Sequence, residues 1–198
     1  MNTTFTRLTA LAAATIMTIT ACGSDENTSS NTVAVADTTH DTTHDTTDHQ
    51  PVTVAIGGVD YAFTNVPAST PAGTTLELQN TSEVELHELV AFRLPDSDEL
   101  PLAELVQLPP DELTARLGAP VTVVLQAPGS DEQIVAVGDG SLQKPGRYVI
   151  MCFIPTGVDP QVYFDAAAAS NGAPPAVPGG PPHFVNGMYA ELVVEPLN

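Results

Sequence analysis

The stretch Gly146-Arg-Tyr-Val-Ile-Met-Cys152 decides the fold. Its aromatic and β-branched residues favour a strand, and the glycine marks a turn before it. Side chains alternate between the two faces of a strand, so Tyr148, Ile150 and Cys152 share one face. We expect that face to point into the core. Cys152 then ends a buried strand, and Met151 points away from it.

Similar β-rich runs, bounded by Gly, Pro, Asn and Asp, lie on both sides of this stretch. With it they predict strands at 52–56, 61–64, 74–78, 86–94, 121–126, 147–153 and 189–195, and the pattern at 134–137 adds a weaker one. Many short strands separated by turn signals are typical of an antiparallel sandwich or barrel. The fold class is therefore predicted to be all-β.

Two segments interrupt the strand pattern. Between 98 and 117, apolar residues recur at helical spacing, which predicts one or two short helices inserted on the rim. Residues 166–182 are rich in Ala, then in Pro and Gly, and we predict a long irregular loop there.

Four residues carry metal chemistry: His87, Cys152, His183 and Met188. His183 and Met188 flank Phe-Val-Asn-Gly, and Gly187 permits a tight turn that brings Met188 back toward a shared centre. A thiolate, two imidazoles and a weak thioether form the donor set of a mononuclear electron-transfer copper. Any one of these residues alone is more often a core residue, and zinc gains little from a thioether. Their combination favours one type 1 copper.

These motifs resemble those of the cupredoxins, the plastocyanin and azurin family of blue copper proteins, over residues 52–197. The resemblance implies a Greek-key β-sandwich whose copper cycles between Cu(I) and Cu(II) and carries single electrons. The chain departs from the family twice. Thirty residues separate Cys152 from His183, where relatives have only a few. Glu88 also follows the first His, where many relatives have an Asn that ties the ligand loops together.

The first 22 residues resemble a bacterial lipoprotein signal peptide. An apolar stretch leads to Ile-Thr-Ala-Cys22, which resembles a lipobox, so Cys22 is the predicted lipidation site. The protein is then exported and lipid-anchored, either to the outer face of the cytoplasmic membrane or in the periplasm or cell envelope. If Cys22 carries the lipid, Cys152 is the one thiol left in the exported domain, and no intramolecular disulfide can form.

Residues 23–50 predict a disordered tether that leads to a domain at 51–198. Its near-repeat of Asp, Thr and His contains His40, His44 and His49. We interpret it as a solvated stalk, with weak Cu(II) or Zn(II) capture as the alternative.

Charge and missing motifs exclude several functions. The chain has a net charge of −19, with five Lys and Arg against 24 Asp and Glu. Nucleic acid is excluded as a partner because phosphate binding needs clustered basic residues. We expect a monomer. The acidic charge favours a redox partner with a basic face, with solubility or salty surroundings as the alternative reason for the charge. Motifs of hydrolases, nucleotide-binding enzymes and zinc proteases are absent from the sequence, so no enzyme is predicted. The alternative is a non-redox binding or copper-handling module with the same fold.

Overall fold

The computed structural model describes residues 52–170 and 174–197. The strands, in chain order, are β1 Thr53–Val59, β2 Ala62–Thr64, β3 Ser69–Pro71, β4 Thr74–Asn80, β5 His87–Arg93, β6 Thr122–Gln126, β7 Gln133–Val137, β8 Ser141–Leu142, β9 Gly146–Met151 and β10 Tyr189–Glu195. The helices are α1 Leu102–Leu105, α2 Pro110–Leu117 and α3 Pro160–Ala169, with a 3-10 turn at His183–Asn186.

The strands form two sheets, of order β2-β1-β4-β8 and β3-β10-β9-β5-β6-β7. In the larger sheet β5, β6 and β7 pair antiparallel in succession, and β9 returns to lie antiparallel beside β5. This order, with the returning strand next to the first, defines a Greek key. The predicted β-sandwich is confirmed.

Both faces of the larger sheet are covered at its middle strands, β5 and β9. One face packs on the smaller sheet, through Leu89, Tyr148 and Ile150 against residues such as Ile56 and Leu78. The other face carries Val90, Phe92, Val149 and Met151, and it packs on Leu105, Leu113, Leu117 and Tyr163 of the three helices. Since both faces of β5 and β9 are buried along most of their length, each strand contains an unbroken apolar run, at 89–92 in β5 and at 148–151 in β9.

Every predicted strand is present, with ends that shift by a few residues, and the two short helices predicted between 98 and 117 are α1 and α2. The short strands β3 and β8 were missed, because three and two residues are too few to show alternation. The prediction of an irregular loop over 166–182 was wrong at its start. The helix α3 occupies this start and ends at Ala169; it begins after Asp159, whose side chain accepts from the amides of Gln161 and Val162 and caps it.

The predicted signal peptide with Cys22, the tether with its three His residues and the boundary at 51 lie outside the described residues. These remain predictions. Within the described ranges, no helix is both long enough and apolar enough to cross a membrane.

Candidate metal centre

The four predicted ligands come from different parts of the fold. His87 is the first residue of β5 and pairs with Gln126 of β6. Cys152 follows the last residue of β9 directly, His183 begins the 3-10 turn, and Met188 immediately precedes β10. All four have no exposed surface.

Three of the ligands converge closely. The Nδ1 atoms of His87 and His183 lie 3.2 Å apart, and the Sγ of Cys152 lies 3.4 Å from the Nδ1 of His183. Among the described residues these three form a group whose donor atoms all lie within 4.8 Å of one another. Two nitrogens and one sulfur therefore face a common point.

Hydrogen bonds close the base of the 30-residue segment between Cys152 and His183. The amide of His183 donates to the carbonyl of Ile154 at 3.0 Å, and the amide of Phe184 donates to the carbonyl of Cys152 at 2.9 Å. Pro155 and Pro182 form an isolated antiparallel bridge just beyond. Cys152 and His183 are thus joined at the base of this segment, and the helix α3 within it packs on the larger sheet through Tyr163.

Met188 is held beside the same group. Its amide donates to the carbonyl of His183 at 3.1 Å, and its carbonyl accepts from the amide of Cys152 at 3.2 Å. Gly187 has a φ of 114°, a backbone conformation that a side chain would strain, so the glycine makes this return possible.

Gly58 of β1 also leaves room for the ligands. A Cβ at that position would lie 3.1 Å from Cδ2 of His87 and 3.3 Å from Cε of Met188. The sequence analysis missed Gly58, because glycine in a strand gives no sign of which ligands it approaches.

Burial keeps the donor set uncharged when no cation is bound. Burial, followed by the nearby His183, lowers the pKa of His87 to about 4. Burial also lowers the pKa of His183, although the Glu85 carboxylate opposes that change. The pKa of the Cys152 thiol is raised by burial and by the charge of Glu88. Two neutral imidazoles and a thiol that loses its proton to a metal are suitable ligands for a soft or borderline cation.

The chemistry of this donor set fits a type 1 copper. His87 Nε2 and His183 Nε2 are buried without a hydrogen bond, while both Nδ1 atoms point into the group with Cys152. His183 Nε2 lies 3.4 Å from a carboxylate oxygen of Glu85, outside hydrogen-bond geometry. The two Nδ1 atoms are therefore the imidazole atoms placed to bind copper with the thiolate.

Tyr61 and Glu85 cover His183. The rings of Tyr61 and His183 are in edge contact, with centroids 5.1 Å apart. The Tyr61 hydroxyl donates to Oε1 of Glu85 at 3.3 Å, and the Gly157 amide donates to the same carboxylate. Sequence reasoning missed both residues, since Tyr61 and Glu85 are distant from His183 in the chain.

The described residues thus form a two-sheet sandwich in which the donor atoms of His87, Cys152 and His183 meet, with the buried Met188 beside them. The structure is similar to a crystal structure of dithionite-reduced auracyanin from the photosynthetic bacterium Roseiflexus castenholzii, with a TM-score of 0.42 and 22% identity over 73% of this chain and 98% of that one.

Two further structures are similar. Auracyanin A, a blue copper protein of the green thermophilic photosynthetic bacterium Chloroflexus aurantiacus, has a TM-score of 0.40 and 21% identity over 74% of this chain and 100% of that one. Auracyanin B has a TM-score of 0.32 and 16% identity over 75% and 93%. No family model and no curated protein matches the chain.

Proposed function

We propose that the protein is a membrane-tethered carrier of single electrons with one type 1 copper. His87, Cys152 and His183 would hold the metal through two Nδ1 atoms and a thiolate, with Met188 as the weak axial ligand. The observation that carries this proposal is the convergence of the three donor atoms within 4.8 Å at a fully buried position. Copper bound there supplies the change between Cu(I) and Cu(II).

The chain's own residues support electron transfer by holding the ligands rigidly. Hydrogen bonds between Cys152, His183 and Met188 fix the backbone around all three, and packing on both sides of β9 fixes the strand that leads to the thiolate. A ligand set that does not rearrange needs little reorganisation when the charge of the metal changes. Burial also excludes water, which would otherwise compete as a ligand.

Copper titration with visible spectroscopy tests the metal assignment. The purified protein is expected to bind one Cu(II) and to show a strong thiolate-to-copper band. Cys152→Ser is expected to abolish the band and most of the high-affinity Cu(I) binding. A wild-type protein that binds copper without such a band would instead be a copper-handling module.

The redox partner is proposed to have a basic face. The acidic surface of the chain attracts such a face, and salt screens that attraction. Electron exchange with a cationic redox protein should slow as ionic strength rises, whereas exchange with an anionic one should accelerate. Rates that are independent of salt with both would contradict this partner.

Lipidation of Cys22 is the proposed tether to the membrane, which places the domain outside the cytoplasm. The supporting feature is the lipobox-like Ile-Thr-Ala-Cys22 after an apolar stretch. Cys22→Ser should release the protein or stall its processing while the domain still folds. Normal processing with unchanged membrane retention would count against lipidation.

A further inference from the structure

Glu88 is a buried carboxylate directly after the ligand His87. Glu88 is 5% exposed. It lies on β5, on the face that also carries Val90 and Phe92. Burying a carboxylate is costly unless hydrogen bonds compensate it. The partners of Glu88 therefore indicate why the position is not apolar.

The Glu88 carboxylate connects two separate segments. Its Oε1 accepts from the amide of Phe153, the residue after the ligand Cys152, at 3.0 Å. Its Oε2 accepts from the hydroxyl of Tyr163, on the helix α3, at 3.3 Å. The backbone amide of Glu88 also points at the Sγ of Cys152, 3.5 Å away. Glu88 lies on the same strand as His87. It thus contacts both the segment of Cys152 and, through Tyr163, the long insertion.

Tyr163 is suited to anchor this carboxylate. It is 7% exposed, and the helix around it is fixed by the Asp159 cap. Burial and the nearby Glu88 raise the pKa of Tyr163, so the hydroxyl keeps its proton and remains a donor. Burial raises the pKa of Glu88 to about 7, while its two hydrogen bonds oppose that change.

We propose that Glu88 is a positioning residue of the metal centre and that the insertion between Cys152 and His183 supplies its anchor, Tyr163. The inference rests on the proposed copper site and extends it. Glu88 holds the Phe153 amide and so fixes the segment that carries the thiolate. Tyr163 fixes the Glu88 carboxylate in turn. The insertion therefore supports the metal centre through Tyr163.

The test compares four variants, each as the full chain. Glu88→Leu removes both side-chain hydrogen bonds, Glu88→Gln keeps an oxygen acceptor for the Phe153 amide, and Tyr163→Phe removes only the anchoring hydroxyl. Tyr148→Phe is the matched control, because this buried hydroxyl donates to the carbonyl of Lys144, away from the metal ligands. Thermal unfolding verifies that each variant folds.

Two readouts are measured. Copper affinity should fall by about 10- to 100-fold in Glu88→Leu, as is typical when support for a metal ligand is lost. It should fall less in Tyr163→Phe, with a shifted thiolate-to-copper band, and stay close to wild type in Glu88→Gln and Tyr148→Phe. In the metal-free protein, hydrogen exchange of the Phe153 amide should be faster in Glu88→Leu and Tyr163→Phe.

The outcomes separate this inference from the proposed function. If the wild-type protein shows the thiolate band, but Glu88→Leu and Tyr163→Phe match Tyr148→Phe in affinity, spectrum and amide exchange, the positioning role is wrong and the copper site stands. If the wild-type protein shows no thiolate band with copper, the proposed function and the positioning role fail together.

Discussion

The amide of Phe184 donates to the carbonyl of Cys152 at 2.9 Å and so joins the two ends of a 30-residue segment. This bond joins the predicted ligand Cys152 to the residue that follows the predicted ligand His183. It explains how a long insertion leaves the ligands within reach of one another. The closed base predicts that the length of the segment does not loosen the site.

The hydroxyl of Thr156 contributes to that closure. It donates to the carbonyl of Pro181 at 2.7 Å and accepts from the side-chain amide of Asn186 at 3.1 Å. Thr156→Val should therefore cost about 1 kcal/mol of unfolding free energy and accelerate copper loss. Chemical denaturation and copper transfer to a chelator measure the two effects.

Thr114→Val is the control for Thr156→Val. The Thr114 hydroxyl also donates to a proline carbonyl, that of Pro110 at 2.8 Å, but it lies on α2. This variant should leave the rate of copper loss unchanged. Equal rates of copper loss in both variants would show that the base of the insertion does not support the site.

The close approach of Gly58 to His87 and Met188 allows a steric test of the site. The Cβ of Gly58→Ala would lie within 3.3 Å of atoms of His87 and Met188, which must shift by a few tenths of an ångström. We expect a loss of about 1–3 kcal/mol in stability and a shifted visible band, with a larger shift in Gly58→Val. Spectra of Ala and Val variants that match the wild type would mean that His87 and Met188 are not both at the metal.

Met188 is expected to tune the metal and not to hold it. Met188→Gln should retain one copper and a thiolate band while lowering the reduction potential, because a harder oxygen donor favours Cu(II). Redox titration followed at the visible band measures the change. An unchanged spectrum and potential would remove Met188 from the ligand set.

The buried Glu88 predicts a pH dependence in the metal-free protein. Burial raises its pKa from 4.5 to about 7, so the folded chain keeps this proton to a higher pH than the unfolded chain. The contribution of this group to the free energy of unfolding is fully present below pH 4.5 and is lost as pH rises through about 7. Relative to Glu88→Gln, the wild type should lose at most about 3 kcal/mol over this window.

Denaturant unfolding of both metal-free proteins at a series of pH values measures this difference. His87 is present in both, so its own titration largely cancels in the comparison. A difference that stays constant from pH 4 to 8 would contradict the raised pKa.

Much of the fold could be predicted because its signals are local. Alternation, β-branched residues and turn residues located the longer strands, and apolar spacing located α1 and α2. The helix α3 was missed, because a run of Ala beside a Pro- and Gly-rich segment gives no amphipathic pattern. Its start depends on the cap at Asp159, which a composition-based interpretation overlooked.

The sequence alone determined the kind of donors and their order along the chain. It named His87, Cys152, His183 and Met188, because thiolate, imidazole and thioether are a chemical set that can be recognised without coordinates. It also determined the acidic charge, which depends only on composition. These properties belong to the residues themselves.

Only the tertiary structure decided how the site is supported and covered. Tyr61 and Glu85 contact His183, and Tyr163 contacts Glu88, in each case between segments far apart in the chain. The closure between Cys152 and Phe184 spans the whole insertion. Such contacts depend on which strands pair and how two sheets pack, and no periodicity along the chain records them. The types of donor can therefore be recognised from the sequence, whereas the geometry that brings the donors together depends on long-range packing.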